Sequence, residues 1–299
     1  MKTQTLADLG EDKLVRLITA KLSTDASVIA GPGDDCAVVA APKAGEQLLL
    51  KTDTIVEGVH FTADTPARLV GRKAMARVLS DFAAMAATPK HALVTLIAPP
   101  DTPVKRVLGL YEGMTKLADE HEVRIVGGET SRGSQLSLTV SMTGTAPKKK
   151  WISRSGARAG DFIAVTGTLG GSIRGKHLKF QPRLAEAHWL VKHARVTAMM
   201  DLSDGLAKDL PRLADQSGVG FEIEPSLIPI TRGCTLEQAL NDGEDYELLY
   251  TFSKPHTQIS VFVEWQSVFP GTSLRLIGQV LADPMMRNLG QGGWDHFKP

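Results

Sequence analysis

Apolar residues along this chain follow two periods, one helical and one alternating, and their succession sets out its elements. Leu6, Leu9, Leu14, Leu17 and Ile18 recur at helical spacing and predict a short amphipathic helix over 6–22. Three short runs rich in Val, Leu and Ile follow, CAVVAAP, EQLLLKTDTI and EGVHF. They are bounded by Gly and Pro and predict strands. Residues 66–87 read as a long helix, with Pro66 at its start and Thr88-Pro89 beyond its end. HALVTLIAPP predicts a buried strand, and TPVKRVLGLYEGMTKLADEHE a second helix with Pro103 near its first turn. VRIVGGE predicts a strand running into a glycine turn, and QLSLTVSMTGTAP alternates like a strand with one solvated face. The order β-β-α-β-α-β indicates a layered domain.

Near residue 147 the pattern restarts. FIAVTG predicts a strand, TLGGSIRGKH a loop, PRLAEAHWLVKHA a helix and VTAMMDLS a strand. DGLAKDLPRLADQSG predicts a helix that Asp204 or Ser203 can cap and Gly218 can end. VGFEIEP, YELLYTF and LRLIGQVL supply further strands. The expectation is therefore an α+β chain, α/β layered, of two domains, 1–146 and 147–299. The halves share a style but no residue-level repeat.

Composition narrows the class. The 299 residues are 42% hydrophobic, enough for two real cores, and 34 basic residues balance 33 acidic ones. Bulk charge therefore selects neither a nucleic acid nor a membrane. Lys148–Lys150 reads as a solvated linker. Cys36 and Cys234 stand far apart without a CxxC pattern, which argues against a disulfide framework or a zinc site. The first 22 residues lack the apolar core of a signal peptide. No run approaches the roughly 20 apolar residues of a membrane span. A cytoplasmic protein is expected.

The chemistry lies in six acidic motifs beside Gly, Ser or Thr: GPGDDCAVV, LLLKTDTIVEGVHF, VLSDFAAMA, RIVGGETSRG, MMDLSDGL and DGEDYELLY. They carry Asp34, Asp35, Asp53, Asp81, Glu129, Asp201, Asp204, Glu244, Asp245 and Glu247. Clustered carboxylates are costly to bury unless a cation offsets them. Oxygen-rich sites suit hard divalent ions, above all Mg²⁺ carrying a polyphosphate. Each motif has a plain alternative. Thr52-Asp53 at a strand end can be turn chemistry, Asp81 a solvent-facing polar stripe, Gly127-Gly128 a simple turn, and Asp204 only a helix cap. Asp201, three residues before Asp204, stays unexplained by capping. His60 reads as structural or as a substrate contact. TLGGSIRGKH imitates a phosphate-binding loop from Gly170 to Lys176, but His177 stands where that loop needs a Ser or Thr hydroxyl, and Pro182 interrupts the following helix. No Ser-His-Asp or Cys-His order is readable, and Asp35 beside Cys36 would raise rather than lower a thiol pKa.

Taken together, GDDCAVV, TDTIVEGVHF, SDFAAMAATP, GGETSRG, RSGARAGD, DLSDGLAKDL, GEDYELLYTF and GWDHF resemble, in order, the motifs of thiamine-monophosphate kinases. These belong to the superfamily of aminoimidazole ribonucleotide synthetase type. The resemblance implies a two-domain aminoimidazole ribonucleotide synthetase-like fold whose N-terminal domain pairs with its twin in a homodimer. ATP would bind near that interface, and the C-terminal domain would cover the site. Asp35, Thr52, Asp53, Asp81, Asp201 and Asp204 would hold several Mg²⁺ ions, with Glu129 in place of a metal-binding Asp. Tyr111, Gly128, Arg154 and Ser203 would contact ATP. His60, Glu244 and Trp294 would contact thiamine monophosphate, although the GEDYE motif offers both Glu244 and Glu247. No catalytic residue beyond the metal ligands is implied. Three departures stand out: Glu129 itself, Lys51 where Ser is usual, and the basic loop GSIRGKHLKF where small residues are usual. A different superfamily substrate, or a nucleotide-binding protein without catalysis, are the competing readings.

Overall fold

The computed structural model describes residues 4–31, 37–253, 258–290 and 292–294. Asp34, Asp35 and Cys36 of the first acidic motif lie outside them. The chain groups into two compact units, residues 1–79 with 88–149 and residues 80–87 with 150–299.

The first unit opens with α1 (Leu6–Leu9) and α2 (Glu11–Thr19), where the periodicity predicts a single helix. Gly10, at φ 81°, ends the one and begins the other, while Thr5 and Asp8 cap α1 reciprocally. β1 (Val28–Ala30) and β2 (Val38–Val39) pair in a small antiparallel ribbon. β3 (Glu46–Val56), α3 (Ala67–Ala84), β4 (Thr88–Ala98), α4 (Val104–Glu120), β5 (Arg124–Arg132) and β6 (Ser137–Pro147) complete the unit. Their sheet has the order β3-β6-β4-β5, with β4 and β5 parallel and the other pairs antiparallel. Two expectations need correction. EGVHF is a tight turn rather than a strand: the amides of Val59 and His60 both donate to the Val56 carbonyl. VRIVGGE does not end in a glycine turn, because β5 runs through Gly127 and Gly128 to Arg132. At Gly128 a Cβ would stand 1.9 Å from the Val94 carbonyl oxygen on β4, so this glycine lets two strands approach.

One face of this sheet is covered. Ile55, Val94, Leu96, Leu138, Val140 and Met142 are buried, as are Val70, Ala74 and Val78 of α3 and Leu110, Met114 and Leu117 of α4. Burial of that apolar area contributes about 25 cal/mol per Å². α3 and α4 cross closely: a Cβ on Gly71 would lie 1.9 Å from the Leu110 carbonyl oxygen, and one on Gly113 would lie 2.0 Å from that of Arg68. The other face carries Leu48, Leu50, Leu93 and Ile97, with Leu50 73% exposed.

The second unit comprises β7 (Phe162–Thr166), α5 (Lys176–Lys179), α6 (Leu184–His193), β8 (Val196–Asp201), α7 (Leu206–Ser217), β9 (Gly220–Ile223), α8 (Leu236–Asn241), β10 (Leu248–Phe252), α9 (Gln258–Val268) and β11 (Leu274–Leu281). Its antiparallel sheet has the order β8-β10-β7-β11-β9. Ile163, Val165, Ala198, Met200, Leu249 and Ile277 form one core with Leu206, Leu210 and Leu213 of α7. α7 begins at Gly205 with no side-chain cap, so neither Ser203 nor Asp204 caps it; Gly218 ends it in the left-handed conformation, as expected.

Candidate functional site

In the first unit the sheet decides where the acidic motifs point. Successive strand residues face opposite sides. Asp53 therefore faces the helical layer, where Arg77 of α3 lies 3.3 Å from its carboxylate. Thr52 faces the open side, and its hydroxyl pairs with that of Ser141 at 2.9 Å. Glu129 also lies on the open side, since its register row runs Glu129, Thr95, Thr139, Thr54 across the four strands. Thr52 and Glu129 thus occupy opposite edge strands, about 14 Å apart at the usual strand spacing. The side chains of Thr52 and Glu129 cannot share one ion within a single chain, and pleating sends Thr52 and Asp53 to opposite faces of β3.

His60 belongs to the turn after β3, not to a strand. Its Nδ1 accepts the Val56 amide at 3.1 Å, which places the proton of a neutral ring on Nε2. Its carbonyl accepts from Lys73, a lysine with no exposed surface, at 2.7 Å. Tyr111 sits in α4 with only 7% exposed, and burial pushes its hydroxyl pKa up to about 12.

The second unit gathers the remaining motifs. Asp201 ends β8 almost fully buried, and the Ser80 hydroxyl donates to it at 2.7 Å. Ser80 precedes Asp81 on the last turns of α3, so Asp81 comes into the neighbourhood of Asp201. Beyond β8, Asp209 of α7 reaches back to accept the amides of Ser203 at 3.0 Å and Asp204 at 2.9 Å. That buried carboxylate fixes the DLSD turn and replaces the expected cap. Arg212 donates to Asp204 at 2.7 Å and to Asp209 at 2.9 Å. Burial, then the charges of Asp204 and Asp201, push Asp209 up to about 7 against the pull of the Asp204 amide and Arg212. Asp209 commits both of its oxygens to those amides and to Arg212, which leaves Asp201 and Asp204 as the carboxylates whose hard-oxygen chemistry a divalent cation would complement.

GEDYE joins the same place. The Glu244 amide donates to the Ser203 carbonyl at 2.7 Å, and the Tyr246 amide to that of Leu202 at 2.8 Å. Trp294, about half exposed, donates its amide to the Asp204 carbonyl at 2.8 Å. Its own carbonyl accepts from Lys208. The two glutamates separate cleanly. Glu247 is 1% exposed and held by Arg183 through two contacts of 2.8 Å, by Lys176 at 2.9 Å and by Thr166 at 2.8 Å. Glu244 keeps 24% of its side chain exposed. Arg154 is exposed, and its carbonyl accepts the Ser217 hydroxyl at 3.0 Å.

The loop imitating a phosphate cradle is not one. The Gly170 amide donates to Asp245 at 3.0 and 3.1 Å, and the Gly171 amide to Asp242 at 2.8 Å. Those donors are already committed to carboxylates. Beside the loop lies a cavity of about 360 Å³ lined in part by Gly167, Thr168, Lys176, Arg183 and Glu247. Among the described residues no three His, Cys, Asp or Glu side chains form a ready metal cage. Sequence reasoning missed Ser80, Asp209, Arg183 and Arg212. The i, i+3 spacing of Asp209 and Arg212 on a helix was the available signal for that pair.

Comparison with known proteins also finds two parts in the chain. Residues 33–146 match the AIR synthase related protein, N-terminal domain, and residues 136–259 match its C-terminal domain. The chain is 36% identical over 272 residues to a thiamine-monophosphate kinase of Rhodopirellula baltica, covering 85% of this chain and 84% of that one. A crystal structure of thiamine-monophosphate kinase from Stenotrophomonas maltophilia superposes with TM-score 0.78 at 31% identity, covering 93% of each chain. A second solved structure, AaThiL complexed with AMPPCP and TMP, gives TM-score 0.75 at 30% identity, covering 99% of this chain and 100% of that one.

Proposed function

We propose, for a chain that belongs to the AIR synthase related family and within it to the thiamine-monophosphate kinases, that it transfers the γ-phosphoryl group of ATP to thiamine monophosphate, giving thiamine diphosphate and ADP. The observation that carries this reading is the convergence in one unit of DLSD, GEDYE, Trp294 and the Ser80-Asp81 turn. The acceptor is a phosphate monoester with a second pKa of roughly 6, so its oxygen is anionic near neutral pH and no strong general base is required. The obstacle is repulsion between two polyanions.

The residues divide that task. Asp53, Asp81, Asp201 and Asp204 would hold Mg²⁺ through carboxylate oxygens, Thr52 through its hydroxyl, and Glu129 from the open sheet face. Mg²⁺, when bound, neutralises phosphate charge and orients the transferred group. Ser80 fixes one oxygen of Asp201. Asp209 and Arg212 hold the DLSD turn rigid. Gly128, whose bare side is taken up by β4, would contact ATP through its backbone atoms alone, and Arg154 would offer an exposed cation; Ser203 is offered from the braced turn, and Tyr111 has little surface to contribute. Glu244, the more accessible glutamate, faces the acceptor with Trp294, whose half-exposed indole suits a flat heterocycle. His60 would contribute through Nε2. The open face of the first sheet supports a homodimer built on it. Among the described residues no helix is long and apolar enough to cross a membrane, and use of ATP supports a cytoplasmic location.

Purified protein, Mg-ATP and thiamine monophosphate are expected to yield thiamine diphosphate. Asp201→Asn keeps the Ser80 hydrogen bond but loses the charge, and is expected to lower the rate more than about a hundredfold. ATP binding without thiamine diphosphate from the unaltered protein would defeat the reading.

A further inference from the structure

The divergent loop 168–180 does not approach a nucleotide by its glycines; it clasps the acceptor-facing segment Asp242–Glu247. Besides the amides of Gly170 and Gly171, the Ser172 hydroxyl donates to the Glu244 carbonyl at 2.6 Å. Phe180 stacks on Tyr246 with ring centroids 4.0 Å apart. Lys176 reaches Glu247 at 2.9 Å and Asp245 at 3.9 Å. His177, 6% exposed, places Nδ1 3.0 Å from Glu244 Oε2. The clasped segment is strained. Glu244 has φ 53° and Tyr246 φ 51°, left-handed conformations that a non-glycine residue keeps only where its surroundings impose them.

We propose that His177 is a positioning residue that sets acceptor affinity by orienting the Glu244 carboxylate. The imidazole N–H fixes Oε2 from the buried side, so the carboxylate meets its ligand in one orientation and loses little rotamer freedom on binding. Thiamine carries a fixed positive charge on its thiazolium ring and an amino group on its pyrimidine, and a preset carboxylate complements either. ATP also bears an amino group, on its adenine, but carries no fixed positive charge, so the thiazolium is what distinguishes the two at a carboxylate. Acceptor and nucleotide affinity are therefore separable at this residue. The proposal rests on the reading of Glu244 as the acceptor contact.

The test is steady-state kinetics on His177→Ala, His177→Asn and His177→Gln, varying thiamine monophosphate and ATP in turn. Asn places an amide N–H where Nδ1 stands; Gln places it a bond further out. His177→Ala is expected to raise KM for thiamine monophosphate about tenfold, with kcat and KM for ATP within about twofold. His177→Asn is expected to restore most of the loss, and His177→Ala is expected to add nothing in a Glu244→Gln background. If His177→Ala does not fold, the other two decide: Asn near the wild-type KM and Gln above it supports the proposal, and equal KM values overturn it. Equal change in KM for both substrates, or none, also overturns it while leaving the enzymatic reading standing. Absence of thiamine diphosphate from the unaltered protein removes both.

Discussion

Asp245 and Glu247 lie two residues apart and are each 1% exposed, yet their carboxyl groups are driven in opposite directions. Burial raises both. At Glu247 the Arg183 fork and Lys176 outweigh burial and hold the carboxyl below its ordinary value. At Asp245 the Gly170 amide and a Lys176 at 3.9 Å do not, and the group rises to about 7. The sign of the consequence is fixed by linkage. Between an unfolded value of 3.8 and a folded value of about 7, the folded chain binds a proton that the unfolded chain does not. Stability from Asp245 is thus fully present below pH 4 and falls by about 1.4 kcal/mol per pH unit until about pH 7. Asp245→Asn keeps an acceptor for Gly170 without titrating. Urea unfolding at pH 5 and pH 8 is expected to show the variant gaining on the wild type as pH rises; a constant difference would contradict the assignment. None of this is visible in GEDYE as a string, because Arg183 and Lys176 are 64 and 71 residues away.

Elements were legible where their signal is local. The long helix at 66–87, the strands around EQLLLKTDTI and FIAVTG, and the glycine stop after α7 follow from periodicity and caps, and the structure shows them. Two of the misreadings, EGVHF and Gly127-Gly128, have one cause, a tertiary contact overriding a local pattern. EGVHF has strand composition, but Lys73 of α3 draws the His60 carbonyl into a turn. Gly127-Gly128 has turn composition, but β4 needs the bare backbone. Asp204 is a good cap by type, and Asp209 took the amides instead. Among the metal motifs, strand pleating sends the neighbours Thr52 and Asp53 to opposite faces. The α3–α4 crossing makes a prediction at this scale. A methyl added at Gly113 meets the Arg68 carbonyl at 2.0 Å, and a backbone atom cannot swing aside. Gly113→Ala is expected to destabilise the protein by about 1–3 kcal/mol through overpacking despite its better helix propensity. A rise in melting temperature would show that the helices separate freely.

At the scale of the whole molecule, the open sheet face carries the argument. Leu48, Leu50, Leu93 and Ile97 are exposed together on a sheet whose other face is packed. Such a patch is of the kind that a second copy of the chain would cover. Light scattering of the wild type is expected to give a dimer. Leu50→Lys, at the most exposed of the four, is expected to shift it to a monomer with the far-ultraviolet spectrum unchanged. A dimeric Leu50→Lys protein would place the interface elsewhere.

Thr52 stands on that same face, between Leu50 and Thr54 on β3. If the subunits meet over it, the hydroxyl proposed for the cation is finished only in the pair. Catalysis then obeys mass action. Turnover per mole of chain falls on dilution and recovers with a lag when protein is concentrated.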